Sequence, residues 1–208
     1  MAAPLTEFAP GPILISAGAI RRRTARLARE ISARYRRRDL VLLGILNGSL
    51  FFLADLARHL SVPFRLECWR LRSYVGKTTR SSGAVHGIGT APGDFRGADV
   101  LLVDDILDTG ITLAAARARL LALGARSVRI CVLVRKRRRR ARPARAHWVG
   151  FDIGDEFVVG FGLDYDGRFR GLPDIRALRP AIPRTRRRAS KTDPGLKPTK
   201  TRKSRTSR

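Results

Sequence analysis

The chain has 208 residues, the length of one domain with extensions, and its 44% hydrophobic content is ample for a core. No stretch approaches the roughly 18 consecutive apolar residues of a membrane helix, and no basic segment precedes the short apolar patch at residues 13–15, so a cytoplasmic location without membrane contact is expected. The net charge of +26 favours anionic partners, whether nucleic acid, membrane surface or phosphorylated metabolite, and does not choose among them. Cys68 and Cys131 sit in apolar runs without metal-ligand or redox spacing, as expected of buried thiols in a reducing compartment.

Residues 1–12 are rich in Ala and Pro and are expected to be flexible. Ser16 is a candidate cap for a helix reaching about Tyr35. Ile20, Thr24, Leu27, Ile31 and Tyr35 line one face of it, and arginines cover the others. Residues 40–46 are continuously apolar, as in a strand buried on both faces. After Asn47-Gly48-Ser49, residues 50–60 read as a helix with Leu50, Leu53, Ala54 and Ala57 on one face. Residues 64–71 alternate through Phe64, Leu66 and Cys68 like a strand. Residues 73–89 are rich in Ser, Thr and Gly and read as a functional loop, with a short strand at residues 85–88.

Residues 99–103 form the next expected strand, stopping at Asp104 and Asp105. A polar loop with Asp108 follows, then a helix to about Leu123 ended by Gly124. Residues 127–134 read as a further buried strand. Residues 135–145 hold eight Lys or Arg and no acid, which suits a solvated face, a subunit contact or a polyanion site. Two short runs, 148–153 and 157–163, flank Gly154-Asp155-Glu156. The core is expected to end near Leu178. Residues 179–208 carry twelve Lys or Arg and one acid, Asp193, and read as a basic disordered tail capable of weak nucleic-acid contact. Strands alternating with helices predict an α/β fold with a central parallel sheet.

Residues 100–112 carry the chemistry: Val-Leu-Leu-Val-Asp-Asp-Ile-Leu-Asp-Thr-Gly-Ile-Thr. A strand-to-helix loop binds anions because the first N–H groups of a helix lack partners and its dipole is positive there. Gly110 lets the backbone close around an anion, and Thr109 and Thr112 add hydroxyl donors. Acids would repel phosphate, so Asp104 and Asp105 suit sugar hydroxyls, directly or through a metal ion. The segment therefore suits a ribose 5-phosphate.

This pattern resembles the phosphoribosyl-pyrophosphate signature of the type I phosphoribosyltransferases. The likeness continues in order through residues 13–16, Gly44-Ile45-Leu46-Asn47-Gly48-Ser49, Leu71-Arg72-Ser73-Tyr74, Phe151-Asp152-Ile153 and residues 157–165. Together these resemble the hypoxanthine (hypoxanthine-guanine) phosphoribosyltransferase family over about residues 13–178, with no counterpart for the tail.

The resemblance implies a type I phosphoribosyltransferase fold with a small hood built from N- and C-terminal segments. It implies a purine salvage enzyme that transfers 5-phosphoribosyl from phosphoribosyl pyrophosphate to hypoxanthine or guanine, requires Mg2+, and forms a homodimer or homotetramer. Asp108, Thr109, Gly110, Ile111 and Thr112 would hold the 5′-phosphate, and Asp108 would accept the N7 proton. Asp104 and Asp105 would hold the ribose hydroxyls and, with Asp164, the metal. Asn47 and Gly48 would form the pyrophosphate loop, where the family has a non-proline cis peptide. Ser73 and Tyr74 would lie on a closing loop. Lys136 would donate to the purine O6, Phe157 would stack on the base, Val158 would read its edge through the backbone, and Arg170 would contact pyrophosphate.

Without the resemblance, Phe157 would read as core and Asp164, Arg170 and Lys136 as solvated charges, with Arg135 or Arg137 a register alternative to Lys136. Asn47 departs from the family, which often has Lys or Arg there, so its pyrophosphate contact would come from backbone N–H groups. The alternative function is an RNA-binding regulator on the same fold, which need not keep Asp104, Asp105, Asp108, Lys136 and Asp164 together.

Overall fold

The computed structural model describes residues 8–71, 91–137 and 143–181. Five parallel strands form the main sheet, in the order β3-β2-β4-β5-β6: β2 Leu40–Leu46, β3 Phe64–Arg70, β4 Asp99–Leu107, β5 Ser127–Lys136 and β6 Trp148–Ile153. Alternate side chains of the central strands go to opposite faces. Leu40, Leu42, Leu101, Val103, Cys131 and Leu133 meet α1 (Ala17–Arg34) and α2 (Leu50–His59) on one side. Val41, Leu43, Val100, Leu102, Ile130 and Val132 meet α3 (Ile111–Ala122) on the other. Burial on both faces explains why these strands are continuous apolar runs.

The hood is a second sheet, antiparallel, in the order β1-β8-β7: β1 Phe8–Ile15, β7 Val158–Val159 and β8 Ile175–Pro180. Terminal segments build it, as the resemblance implies. Residues 8–12, expected to be loose, are part of β1. Pro10 and Pro12 fit because β1 is an edge strand, where a missing N–H costs little.

Ser16 caps α1, its hydroxyl accepting from Ala19 N–H at 3.3 Å. Ile20, Thr24, Leu27, Ile31 and Tyr35 are buried, as their spacing predicts. Arg23 leaves the outer face and donates to Val149 O (2.6 Å) and Gly150 O (3.0 Å), capping carbonyls of the edge strand β6. Gly124 ends the α3 region with φ +87.

Three expectations are corrected. α2 buries Phe52, Leu53 and Leu56, while Leu50 is 50% exposed and Ala54 is exposed. The run Leu-Phe-Phe-Leu leaves the phase open, and its second pair, Phe52 and Leu53, takes the inner side while Leu50 and Phe51 face outward. On β3, Trp69 is buried but Leu66 and Cys68 are exposed, because β3 is the sheet edge and the helices do not cover it. Only Cys131 is a buried thiol, and burial pushes its pKa well up. Finally, β4 continues through both acids to Leu107, held by pairs with β5 at Asp104–Val132, Ile106–Val134 and Leu107–Arg135.

At the opposite end of β4, Asp99 is buried. It accepts from Arg126 (Nη2–Oδ2 2.6 Å), Ser127 Oγ (2.6 Å) and Arg38 Nη1 (3.2 Å), tying the α1–β2 connection and the start of β5 to β4. Burial raises its carboxyl pKa, but these hydrogen bonds and the charge of Arg126 outweigh burial and hold it well below the usual range. A depressed carboxylate stabilises fully above its unfolded value, and the contribution is lost as pH falls toward the folded value. Asp99→Asn should cost about 2 kcal/mol near neutral pH. Denaturant unfolding at about pH 7 and about pH 3 should show a smaller acid-induced loss in the variant than in the parent, and equal losses would refute this role.

Candidate active site

β2 and β4 share a ladder only from Leu40–Asp99 to Gly44–Val103. Beyond it, β2 stays with β3 as far as Leu46–Arg70, and β4 stays with β5. The sheet splits there, at the carboxyl ends of its strands, where chain connections leave in opposite directions. Such switch points are where open α/β sheets bind ligands.

A cavity of about 280 Å³ fills the split. Ile45 and Leu46 line it from β2, Asp104, Asp105 and Ile106 from β4, and Asp108, Thr109, Gly110 and Thr112 from the loop and first turn of α3. Gly48, Asp164 and Arg170 close it. Residues separated by more than a hundred positions in sequence thus meet in one cavity.

The loop between β4 and α3 is short. Gly110 takes the left-handed conformation at φ +82, and its carbonyl accepts the Ala114 N–H at 2.9 Å, opening α3. Ile111 N–H points back to Thr109 Oγ1 at 3.5 Å, and the Ile111 side chain is 42% exposed, outside the cavity lining. Asp104 Oδ1 accepts the N–H of Asp105 at 3.0 Å. Burial first, then the charge of Asp105, pushes the Asp104 carboxyl well above the usual carboxylate range. Burial raises Asp105 as well, opposed by hydrogen bonding from Asp104 and Ile106 N–H and by the charge of Arg170. Two half-buried acids side by side resist full ionisation until a cation or hydroxyl donors reach them.

The facing wall depends on close backbone approach. A Cβ on Gly48 would lie 1.8 Å from Asp105 Oδ2, and one on Gly162 would lie 2.0 Å from Gly48 O. The Leu46–Asn47 peptide is cis, as the resemblance implies, and the Asn47 side chain is exposed, outside the lining. Arg170 donates to Gly162 O (2.6 Å) and pairs with Asp164 Oδ1 (2.8 Å), whose Oδ2 accepts from Gly167 N–H (2.7 Å).

Lys136 is the last residue of β5 and 8% exposed. Its Nζ stands 3.7 Å from Asp108 Oδ2 and 3.8 Å from Asp155 Oδ1, and donates to Asp155 O at 3.4 Å. Arg135 is held by Asp152 at 2.6 and 3.0 Å, and Arg137 is exposed, so of the three only Lys136 stands beside Asp108. Asp155 was not singled out from the sequence. It sits in a Gly-Asp-Glu turn, and only the β5–β6 pairing brings it to Lys136. Phe157 is 52% exposed, against its reading as core. Val158 is buried in β7. Ser73 and Tyr74 lie outside the described residues. No helix among the described residues is long and apolar enough to cross a membrane.

Comparison with known proteins agrees with this geometry. The phosphoribosyl transferase domain family matches residues 15–166. The chain is 40% identical over 185 residues to the hypoxanthine-guanine phosphoribosyltransferase of Mycobacterium avium, covering 85% of this chain and 91% of that protein. It is 39% identical over 165 residues to the hypoxanthine phosphoribosyltransferase of Escherichia coli strain K12, covering 78% and 92%. A solved structure of a hypoxanthine phosphoribosyltransferase from Staphylococcus aureus superposes with a TM-score of 0.76 at 34% identity, covering 82% of this chain and 92% of that one. The split sheet, its acidic strand end and its glycine-opened helix therefore have relatives in both sequence and structure, and the chain belongs to the hypoxanthine (hypoxanthine-guanine) phosphoribosyltransferase family.

Proposed function

We propose that the chain is a purine salvage enzyme. It transfers the 5-phosphoribosyl group from phosphoribosyl pyrophosphate to hypoxanthine or guanine, giving IMP or GMP and pyrophosphate. The observation that carries this reading is the cavity at the β2–β4 split, which gathers Asp104, Asp105, Asp108, Thr109, Gly110, Thr112, Asp164 and Arg170. Lys136 stands beside it, 3.7 Å from Asp108.

In this reading, Asp108 to Thr112, Ile111 included, hold the 5′-phosphate with backbone N–H groups and hydroxyls at the start of α3. Asp104 and Asp105 accept from the ribose hydroxyls. Gly48 and Asn47 present backbone N–H groups to pyrophosphate, and Arg170 adds a charge there. Lys136 donates to the purine O6, Phe157 stacks on the ring, and Val158 reads its edge through the main chain. Asp108 takes the N7 proton as the base attacks. Ser73 and Tyr74 belong to the closing loop that excludes water.

The donor set fits Mg2+. Asp104, Asp105 and Asp164 supply hard oxygen atoms. Among the described residues no group of three or more His, Cys, Asp or Glu could hold a metal ion by itself, so the ion would take most of its ligands from water and substrate phosphates. Burial raises the carboxyls of Asp104 and Asp105, and a cation beside them would favour their ionised form. When bound, Mg2+ neutralises charge on the leaving pyrophosphate.

A cytoplasmic location and a homodimer or homotetramer belong to the same proposal. Exposed Leu50, Phe51 and Leu66 offer apolar surface for subunit contact. The phosphoribosyltransferase domain takes in both β1 and β8, residues 8–180, and the basic segment after it makes weak nucleic-acid contact. No finding favours the RNA-binding alternative.

Incubation with Mg2+, phosphoribosyl pyrophosphate and each of hypoxanthine, guanine, xanthine and adenine should give the monophosphate with hypoxanthine or guanine. Absence of product with both would overturn the reading. Asp108→Asn should lower turnover by about 10²–10⁴. Gly48→Ala should lower kcat/KM for phosphoribosyl pyrophosphate on the order of 10²-fold by displacing the Asp105 carboxylate, with the melting temperature kept. If that ratio stays intact, the close approach has no functional meaning. Deleting residues 183–208 should leave turnover in place and reduce salt-sensitive retention on a nucleic-acid column. Unchanged retention would remove the tail from the proposal.

A further inference from the structure

We propose that Tyr165, braced by Phe8, is a positioning residue that holds the Phe157 ring as a fixed wall for the purine. This rests on the stacking role proposed for Phe157. The Phe157 main chain is already fixed. Its carbonyl accepts the Leu178 N–H at 2.8 Å, and the next two residues form β7, paired with β8. Phe157 as a residue is 52% exposed and lacks the close packing that normally fixes a phenylalanine rotamer.

Tyr165 supplies that contact from one side. Its ring meets Phe157 at 89°, with centroids 5.7 Å apart, an edge-to-face arrangement. A ring held this way keeps a second side for a planar ligand. Behind it, Tyr165 meets Phe8 at 5.1 Å and 57°. Phe8 belongs to β1, opposite Pro180 in the hood sheet. Three rings therefore run from the first strand of the chain to the base wall.

The backbone of Tyr165 is equally constrained. It exchanges two hydrogen bonds with Arg168, at 3.2 and 3.0 Å, around Asp166 and Gly167, whose φ values are +50 and +74. This is the two-residue hairpin geometry that prefers Asp-Gly. The same hairpin is flanked by the Asp164–Arg170 ion pair at 2.8 Å. Tyr165 thus joins the wall for the base to the cavity that holds Asp164 and Arg170. Fixing the Phe157 rotamer before the base arrives lowers the ordering cost of binding.

Steady-state KM and kcat measured for Tyr165→Leu, Tyr165→Phe, Phe8→Leu and Phe157→Leu test the proposal. Tyr165→Leu and Phe8→Leu should raise the KM for hypoxanthine about three- to tenfold, the worth of an aromatic pair, and more than they alter kcat. The KM for phosphoribosyl pyrophosphate should not follow. Tyr165→Phe keeps the ring and should behave like the parent. If Tyr165→Leu does not fold, Phe8→Leu, distant in sequence from Asp164, carries the same test. The proposal is overturned if both leucine variants leave the hypoxanthine KM unchanged while Phe157→Leu raises it. An unchanged hypoxanthine KM in Phe157→Leu overturns the stacking reading, and the proposal with it.

Discussion

The parting of β2 from β4 after the Gly44–Val103 pair is the constraint on which the site depends. Up to that pair, both strands are ordinary central strands with apolar side chains on two faces. Beyond it, each keeps only its outer neighbour. A strand edge opened in the middle of a sheet leaves backbone and side chains facing a gap, and the chain fills that gap with polar groups rather than core. Asp104 and Asp105 occupy the opened stretch of β4, and Gly48 comes from the turn that follows β2. The gap stays narrow because glycine permits it. Gly48 lies against the Asp105 carboxylate and Gly162 lies against Gly48 O, at distances where a side chain would collide.

One strand therefore carries acids under opposite conditions. Asp99 at the start of β4 has Arg126, Ser127 and Arg38 around it and is held ionised. Asp104 and Asp105, near its other end, are pushed toward the neutral form by burial and, for Asp104, by the neighbouring acid. The residue type is the same, and the partners decide the sign. For the upper pair the sign of the linkage reverses. A carboxyl raised in the fold costs stability as pH rises past its unfolded value. The fold bears that cost in the cavity while Asp99 anchors the opposite end of the same strand, a division expected where a site breaks the rules that the scaffold keeps.

Much of this was legible in the sequence, and the failures share a cause. β2 and the buried part of β5 were visible as apolar runs because burial on two faces leaves no alternation to misread. Ser16 and Gly124 were visible because caps are local chemistry. The acids, Gly110 and the threonines of residues 104–112 were visible because they are contiguous. What depended on neighbours was not. The end of β4 is set by its pairing with β5, and the exposure of Cys68 by the edge position of β3. The inner face of α2 is set by which of its large side chains meets the sheet. Asp155 and Tyr165 look like turn residues in sequence. Only the β5–β6 register and the hood bring them to Lys136 and Phe157.

The charge of the whole chain and the charge of its cavity have opposite signs. The chain carries a net +26, and the ionisable side chains of the lining are Asp104, Asp105, Asp108, Asp164 and Arg170. A polyanion is drawn toward such a molecule at long range, with on-rates that fall as salt screens the field. At short range the same polyanion meets four acidic side chains, and those that are ionised repel it where screening is least. The two facts are compatible if the anion arrives with its own cation, or if its phosphate groups seat on backbone N–H groups while its hydroxyls face the acids. On the proposed function, the opening turn of α3 and the paired acids of β4 provide for both. On the proposed function, the excess positive charge of the chain contributes to encounter, while recognition rests on the position of a few acids and glycines.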